Sequence, residues 1–136
     1  MKRICYVSEA TSTPPQLWTD VRDILSEARH FNHLHGIVGV LYFADGQFFQ
    51  CLEGRSQDLD LLLDKLHQDS RHHQIQLFDA EDIDTARFDQ WSMKYVTRAS
   101  QIQQFFKTLG FEAFSPRLLN PLQLSQFLEV LYQVKT

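Results

Sequence analysis

Two polar side chains, Tyr6 and Gln50, lie inside segments whose other residues are mostly apolar. Within residues 47–52, alternation places Gln50 on the same face as Phe48. A buried amide without a partner costs about 1–3 kcal/mol, so Gln50 must bond either to the backbone or to a ligand. If the first strand lies beside this one, Tyr6 meets Gln50. A phenol, an amide and an aromatic ligand in a row can transfer an electron together with a proton.

Two further polar groups stand where predicted helices end. Asn32 closes an amphipathic segment and is by default a helix C-cap, but its amide can also bond the edge of a planar heterocycle. His72 follows Asp69 and Arg71 directly after a second helix. This places three polar groups at the rim of whatever that helix covers.

No residue pattern supports metal binding or enzymatic turnover. No cysteine lies near any of the six histidines at the close spacing that is typical of a zinc site. Cys5 and Cys51 are isolated, and we expect both to be reduced, buried thiols. Neither a phosphate-binding glycine motif nor a nucleophile motif is present. We therefore predict no enzyme, and the alternative, a small flavin or thiol enzyme using Cys51, lacks a base.

Composition predicts one globular domain with a short appendage. The chain has 136 residues, a formal net charge of −4 and a pI of about 5.8, which argues against a nucleic-acid partner. The longest apolar run, residues 37–44, is far shorter than the ~20 residues that span a bilayer, and the N-terminus lacks a signal segment. We expect a cytoplasmic protein that binds no membrane.

The charges divide the chain into two parts. Residues 1–96 hold 9 Lys+Arg against 15 Asp+Glu, whereas residues 97–136 hold 4 against 2. We therefore predict a core domain at 1–97 and an appendage at 98–136.

Hydrophobic patterning predicts an α+β, ferredoxin-like fold. Five strands are expected, at residues 3–8, 37–43, 47–52, 74–78 and 91–96. Asp45-Gly46 is a hairpin signal between the second and third strands. The order βαββαβ plus β predicts a mixed five-stranded sheet with two helices on one face.

Helix-start signals predict where four helices begin. Thr13 with Pro14, Pro15 and Gln16 forms a capping-box pattern before the first helix, and Ser56 can cap the second. In the appendage, a third helix stops at Gly110. A fourth begins at Asn120-Pro121, so that residues 98–136 form a two-helix cap.

Six motifs follow one another at compatible spacings: YVS at 6–8, RHFN at 29–32, GIVGVLY at 36–42, GQFFQCLEG at 46–54, DSRH at 69–72 and RFDQWSM at 87–93. Over residues 2–97 the chain thereby resembles the BLUF domains, the blue-light sensors that use flavin. Two positions depart from the family's pattern, with Phe31 where a polar residue is frequent and Val38 where threonine is common. Phe31 puts one flavin contact in doubt.

The resemblance implies that FAD binds non-covalently between the two helices, with its ring edge toward the sheet. It implies that Tyr6 gives the excited flavin an electron and a proton, and that Gln50 is left rearranged, which shifts the absorption to the red. Ile24 and Leu66 would clamp the two faces of the ring. The full implied set is Tyr6, Ser8, Ile24, Arg29, Asn32, Phe48, Gln50, Leu66, Asp69, Arg71 and His72.

The resemblance also implies a route for the output. Trp91 or Met93 would pass the change outward, through the last strand and the cap. Because no effector domain is recognisable after residue 97, the signal would go to an unidentified downstream protein or to a homo-oligomer. The alternative is a flavin-free ferredoxin-like interaction module, against which the presence of Tyr6, Gln50 and Asn32 argues.

Overall fold

A mixed β-sheet organises residues 1–135, the part of the chain that this computed structural model describes. The predicted cap's last residue, Thr136, lies outside the described residues. The strands are β1 Lys2–Ala10, β2 Val38–Ala44, β3 Gln47–Gly54, β4 His72–Leu77, β5 Glu81–Asp82 and β6 Lys94–Val96. The helices are α1 Gln16–His35, α2 Ser56–Gln68, α3 Ser100–Thr108 and α4 Pro121–Gln133, with a 3-10 turn at Pro116–Leu118.

The sheet confirms the predicted ferredoxin-like fold. Its strand order is β4-β1-β3-β2-β6, with β5 also paired to β1. The pairs are antiparallel except for β2 with β6. The sequence missed β5, because residues 81–82 show no apolar alternation and join β1 through backbone pairing and an ion pair between Arg3 and Glu81, 3.1 Å apart.

The last strand is shorter than the predicted 91–96. Residues 91–93 lie outside β6, and their carbonyl groups have other partners. The carbonyl of Trp91 accepts from the N–H of Gly39, that of Ser92 from the Asn32 side chain, and that of Met93 from the Arg29 side chain. Side chains of α1 therefore hold this segment beside the sheet.

The two faces of the sheet carry separate cores. On one face, Tyr6, Phe48 and Leu52 pack with α1 and α2. On the other face, Phe49 and Cys51 pack with α3 and α4. The predicted alternation along β3 is confirmed, because successive strand residues point to opposite faces.

The helix starts were predicted less well than the helices themselves. The capping box at Thr13 is wrong, because α1 begins at Gln16 with Pro15 as its N-cap and no side-chain cap bond. The Ser56 cap is also wrong, since Arg55 holds that position. Asn32 is not the C-cap, because α1 continues to His35 and ends on a left-handed glycine.

The predicted cap of α4 is confirmed. The side-chain oxygen of Asn120 accepts from the backbone N–H of Gln123 at 2.8 Å, and the Gln123 side chain accepts from the backbone N–H of Asn120 at 3.0 Å. This reciprocal pair satisfies two N–H groups that the helix itself leaves free. Within residues 1–135, no helix is long and apolar enough to cross a membrane.

The α4 cap gives a direct stability test. We expect Asn120→Ala to lower the free energy of unfolding by about 1 kcal/mol, because it removes a formed N-cap. Ser56→Ala is the matched control and should change it by less than about 0.5 kcal/mol, since the exposed Ser56 caps nothing. Urea denaturation measures both values. Equal losses in the two variants would contradict this account of the caps.

Candidate functional site

A cavity of about 690 Å³ opens between α1 and α2 above the sheet. This volume lies in the usual range of pockets for small molecules and cofactors. The walls come from the two helices, the floor from β3 and from the segment before β6, and the rim from the residues that follow α2.

Gln50 forms part of the floor of the cavity, and Tyr6 lies directly behind it. They stand directly opposite each other on β1 and β3, and the side-chain N–H of Gln50 donates to the Tyr6 hydroxyl. Gln50 lines the cavity, whereas Tyr6 lies behind it and is 1% exposed. Burial raises the pKa of Tyr6 far above its ordinary value, and the charge of Asp69 adds to the effect. Tyr6 is therefore a neutral phenol whose hydroxyl is held by the amide.

Asn32 contributes an acceptor that no protein group uses. Its side-chain N–H donates to the Ser92 carbonyl at 2.7 Å, which fixes the orientation of the amide. Its side-chain oxygen is buried and has no hydrogen-bond partner among residues 1–135. A buried acceptor without a partner is costly, so this oxygen, in a residue that lines the cavity, fits an N–H donor of a ligand.

Three charged side chains close the rim. Arg71 bonds to Asp69 through both its backbone N–H, at 3.0 Å, and its guanidinium, at 2.9 and 2.7 Å. The same guanidinium reaches Glu27 on α1 at 2.5 Å. Burial raises the pKa of Asp69, but the hydrogen bonds from Arg71 outweigh it and hold this pKa below its usual value. Arg71 therefore ties α1 to the segment after α2.

His72 anchors the end of α2 to β1. Its Nε2 lies 2.7 Å from the Leu66 carbonyl and its Nδ1 lies 2.7 Å from the Ser8 hydroxyl. Because a carbonyl only accepts, Nε2 carries the proton and Nδ1 accepts from Ser8. Burial lowers the pKa of His72, so the ring is neutral at pH 7. This bond fixes Leu66, which lines the cavity.

The structure divides the predicted site residues into two groups. Those that line the cavity are Ile24, Asn32, Gln50, Leu66, Asp69 and Arg71. The others support the cavity wall from behind and are Tyr6, Ser8, Arg29, Phe48 and His72. The two predicted relay residues face opposite sides of the sheet: Met93 lines the cavity, and Trp91 packs against Tyr132 of α4.

Sequence reasoning missed several wall residues. Leu34 extends the cavity face of α1 three residues beyond Phe31, a spacing that would have identified it. The ring of Phe31 stacks on His35 with 4.1 Å between centroids, and the Lys65 ammonium of α2 lies 4.5 Å from the Phe31 centroid. The remaining missed residues are Glu27, Ala28, His30, Leu62, Gln68 and Ser70.

Together these groups form a cavity whose shape and polar groups suit a planar heterocycle. Two helices sandwich a slot with apolar walls, a polar floor offers an amide beside a phenol, and a side wall offers an unused acceptor. In the described part of the chain, no group of His, Cys, Asp and Glu is arranged to hold a metal ion.

The family model for sensors of blue light using FAD matches residues 1–94. The chain therefore belongs to the BLUF family of blue-light flavin photoreceptors. It superimposes on the solved structure of BlsA in its photo-activated state with a TM-score of 0.95 and 44% identity, covering 99% of this chain and 96% of that one. The BlsA ground state gives 0.94 at 44% identity, over 99% and 89%. The dark state of BlrB, a BLUF protein, gives 0.73 at 27% identity, over 94% and 96%.

The curated relatives are longer proteins. The photoactivated adenylate cyclase subunit alpha of Euglena gracilis is 28% identical over 94 residues, which are 69% of this chain and 9% of the relative. This chain thus spans about a tenth of that relative's length. The match covers only this small part of the relative, so the adenylate cyclase activity in that protein's name does not carry over to this chain.

The His72 anchor predicts a pH dependence of stability. The folded-state pKa of His72 is lowered, so the unfolded chain binds this proton more readily. Its contribution to stability should be complete above about pH 6.5, the unfolded pKa, and should decline as the pH falls below it. Urea unfolding at pH 7.5 and pH 5.5 measures the loss.

A matched variant separates His72 from the other histidines. His72→Gln should reduce the loss of unfolding free energy between these two pH values, whereas His33→Gln, at an exposed position, should leave it unchanged. An undiminished loss in His72→Gln would disprove the assignment.

Proposed function

We propose that this BLUF protein binds FAD in the α1–α2 cavity and responds to blue light through a rearrangement of the Tyr6–Gln50 hydrogen bond. The observation that carries the proposal is the buried contact of these two side chains at the cavity floor. Among the described residues that line the cavity, Gln50 alone bonds to a tyrosine hydroxyl.

The cavity residues fit a flavin ring. Its pyrimidine edge carries an N–H between two carbonyl groups, and the free acceptor of Asn32 complements that N–H. Ile24 of α1 and Leu66 of α2 offer apolar contacts for the two faces of the ring. Flavin supplies the absorption of blue light and, when excited, a strong oxidant, while the protein supplies orientation.

In the proposed reaction the protein releases an electron and a proton and then takes both back. Tyr6 is held as a neutral phenol, so it can release an electron and its proton together and take both back. The Gln50 amide has a donor end and an acceptor end. While the electron and the proton are away from Tyr6, this amide rotates or tautomerises. Its donor and acceptor ends then exchange places relative to Tyr6 and to the ligand. The changed hydrogen bonds then persist without net oxidation or reduction.

Two substitutions test the switch. Tyr6→Phe and Gln50→Leu should each retain bound flavin and lose the reversible red shift under blue light, because one partner of the hydrogen bond is gone. Absorption spectra of the purified protein before and after illumination measure this.

The controls carry the same changes on the opposite face of the sheet. Tyr42→Phe and Gln47→Leu alter residues that face the cap, where Tyr42 packs on Phe114 and Gln47 donates to the Phe114 carbonyl. Both should keep the red shift. A full shift in Gln50→Leu would refute the proposed switch, and a protein that takes up no flavin would favour the flavin-free interaction module.

We also propose that the signal leaves through residues 91–94 into the cap at 98–136. Met93 lines the cavity, and the next residue, Lys94, faces the cap on the other side of the sheet. The Lys94 ammonium donates to the Tyr132 carbonyl of α4 at 2.8 Å and lies 4.5 Å from the centroid of Trp91. This segment therefore touches the cavity on one side and α4 on the other. The signal would then pass to an unidentified downstream protein or to a second copy of this chain. A cytoplasmic location stays a prediction.

If residues 91–94 carry the signal to α4, a variant of this segment can keep the red shift and lose the response of α4. Lys94→Met should keep the red shift, because it leaves the cavity face unchanged, and should reduce the light-dependent difference in hydrogen exchange of α4. A point variant suits this test better than deleting the cap, because cap residues such as Phe127 share a core with the sheet. Arg98→Met, at the exposed ion pair with Asp45, is the control. An unchanged α4 difference in Lys94→Met would contradict the relay.

A further inference from the structure

The two cysteines of the chain meet across the sheet. Cys5 on β1 stands directly opposite Cys51 on β3, and both face the cap. They are 3% and 0% exposed. The neighbouring rung of the same two strands is Tyr6 with Gln50, which points to the cavity. One pair of strands therefore carries a thiol pair and the phenol–amide pair side by side.

Backbone bonding shows which kind of rung the thiols occupy. The Cys5 carbonyl accepts from the N–H of Phe78 at 3.0 Å, on the side of β1 away from β3. The Cys51 carbonyl points toward β2, where a Cβ on Gly39 would lie only 2.2 Å from its oxygen. In antiparallel sheets a residue directs its N–H and C=O to the same neighbour, so Cys5 and Cys51 are a non-hydrogen-bonded pair.

This rung has the dimensions of a disulfide. Non-hydrogen-bonded pairs have Cα atoms about 4.5 Å apart, within the range of about 4.4–6.8 Å that disulfides span. The side chains of such pairs are the closer ones in an antiparallel sheet. The two sulfurs can therefore bond without moving the strands apart or changing their register.

A small opening reaches one of the two thiols. A cavity of about 20 Å³ is lined by Arg3, Cys5, Leu124 and Leu128, among others. This volume holds about one water-sized molecule, and hydrogen peroxide is only slightly larger. Burial raises the pKa of Cys51, and the Arg3 guanidinium partly offsets the rise. Cys5 is thus the thiol placed to meet an oxidant, and Cys51 the one placed to resolve it.

We propose that Cys5 and Cys51 form an oxidation site, in which a peroxide converts the two thiols into an intramolecular disulfide. Cys5 sulfur attacks one peroxide oxygen, the O–O bond breaks, and Cys5 becomes a sulfenic acid while one water leaves. Cys51 sulfur then attacks the Cys5 sulfur and displaces a second water. Overall, two thiols and one hydrogen peroxide give one disulfide and two waters, with sulfur oxidised and peroxide oxygen reduced.

The disulfide would change the rung next to Tyr6 and Gln50. It draws the two Cβ atoms to about 3.8 Å, closer than in an ordinary strand pair, and alters the local twist of β1 against β3. The geometry of the phenol–amide contact depends on that twist. This consequence for light sensing rests on the proposed function, whereas the disulfide itself does not.

The test treats the flavin-loaded wild-type protein with hydrogen peroxide in the dark and then blocks the remaining thiols with an alkylating agent. We expect an intact mass lower by two hydrogens, no alkylation, and a tryptic link between peptides 4–22 and 30–55 that a thiol reductant reverses. Cys5→Ala and Cys51→Ala should each lose the link. Two alkylatable thiols in the treated wild-type protein, or links only between separate chains, would overturn the oxidation site.

Dark recovery of the red shift tests the coupling to light sensing. Oxidised wild-type protein should recover at a rate that differs from the reduced protein by about twofold or more, a barrier change of about 0.4 kcal/mol. Peroxide-treated Cys5→Ala, which lacks the thiol placed to meet the oxidant, should recover at its untreated rate. A disulfide with unchanged recovery would overturn the coupling alone. A protein without any red shift would refute the proposed function, and the mass measurement would still decide the oxidation site.

Discussion

Successive residues of a β-strand point to opposite faces, and the central strands β1, β2 and β3 are buried on both faces over most of their length. Each buried residue of these strands therefore faces one of two unlike environments, a cavity between α1 and α2 or a packed cap of α3 and α4. Along β1, the side chain of Cys5 therefore faces the cap and that of Tyr6 faces the cavity. At the start of β6, Met93 lines the cavity and Lys94 contacts the cap. A shift in register by one residue would exchange these faces, so the β1–β3 pairing decides that Tyr6 and Gln50 meet below the cavity.

The cavity is held in shape by side-chain bonds to backbone carbonyls. Asn32 and Arg29 of α1 hold the carbonyls of Ser92 and Met93, and His72 holds the Leu66 carbonyl at the end of α2. Each bond fixes a neighbouring element as well as a side chain. The slot is therefore largely formed by the chain's own contacts, which lowers the ordering cost of binding a rigid, planar ligand.

The same segment that closes the cavity also contacts the cap. Lys94 is buried against α4, and Arg87 lies 4.0 Å from the Tyr132 ring centroid and pairs with Glu129. Burial lowers the pKa of Lys94, so its ammonium depends on the Tyr132 carbonyl and on the Trp91 ring for compensation. A rearrangement near Met93 would alter contacts that α4 needs, because the cap and the sheet share one core.

The sequence by itself determined the order of the helices and of every strand except β5, the ferredoxin-like fold, the family and the alternation along β3, because these follow from local periodicity and short motifs. It also identified the α4 capping box, whose partners lie three residues apart. Tertiary structure decided that Thr13 and Ser56 cap nothing, that residues 91–93 bond to α1 instead of pairing in the sheet, and that Trp91 faces the cap. It also decided which predicted site residues line the cavity. These outcomes depend on partners distant in sequence, such as Asn32 with Ser92, and no local pattern encodes such a contact.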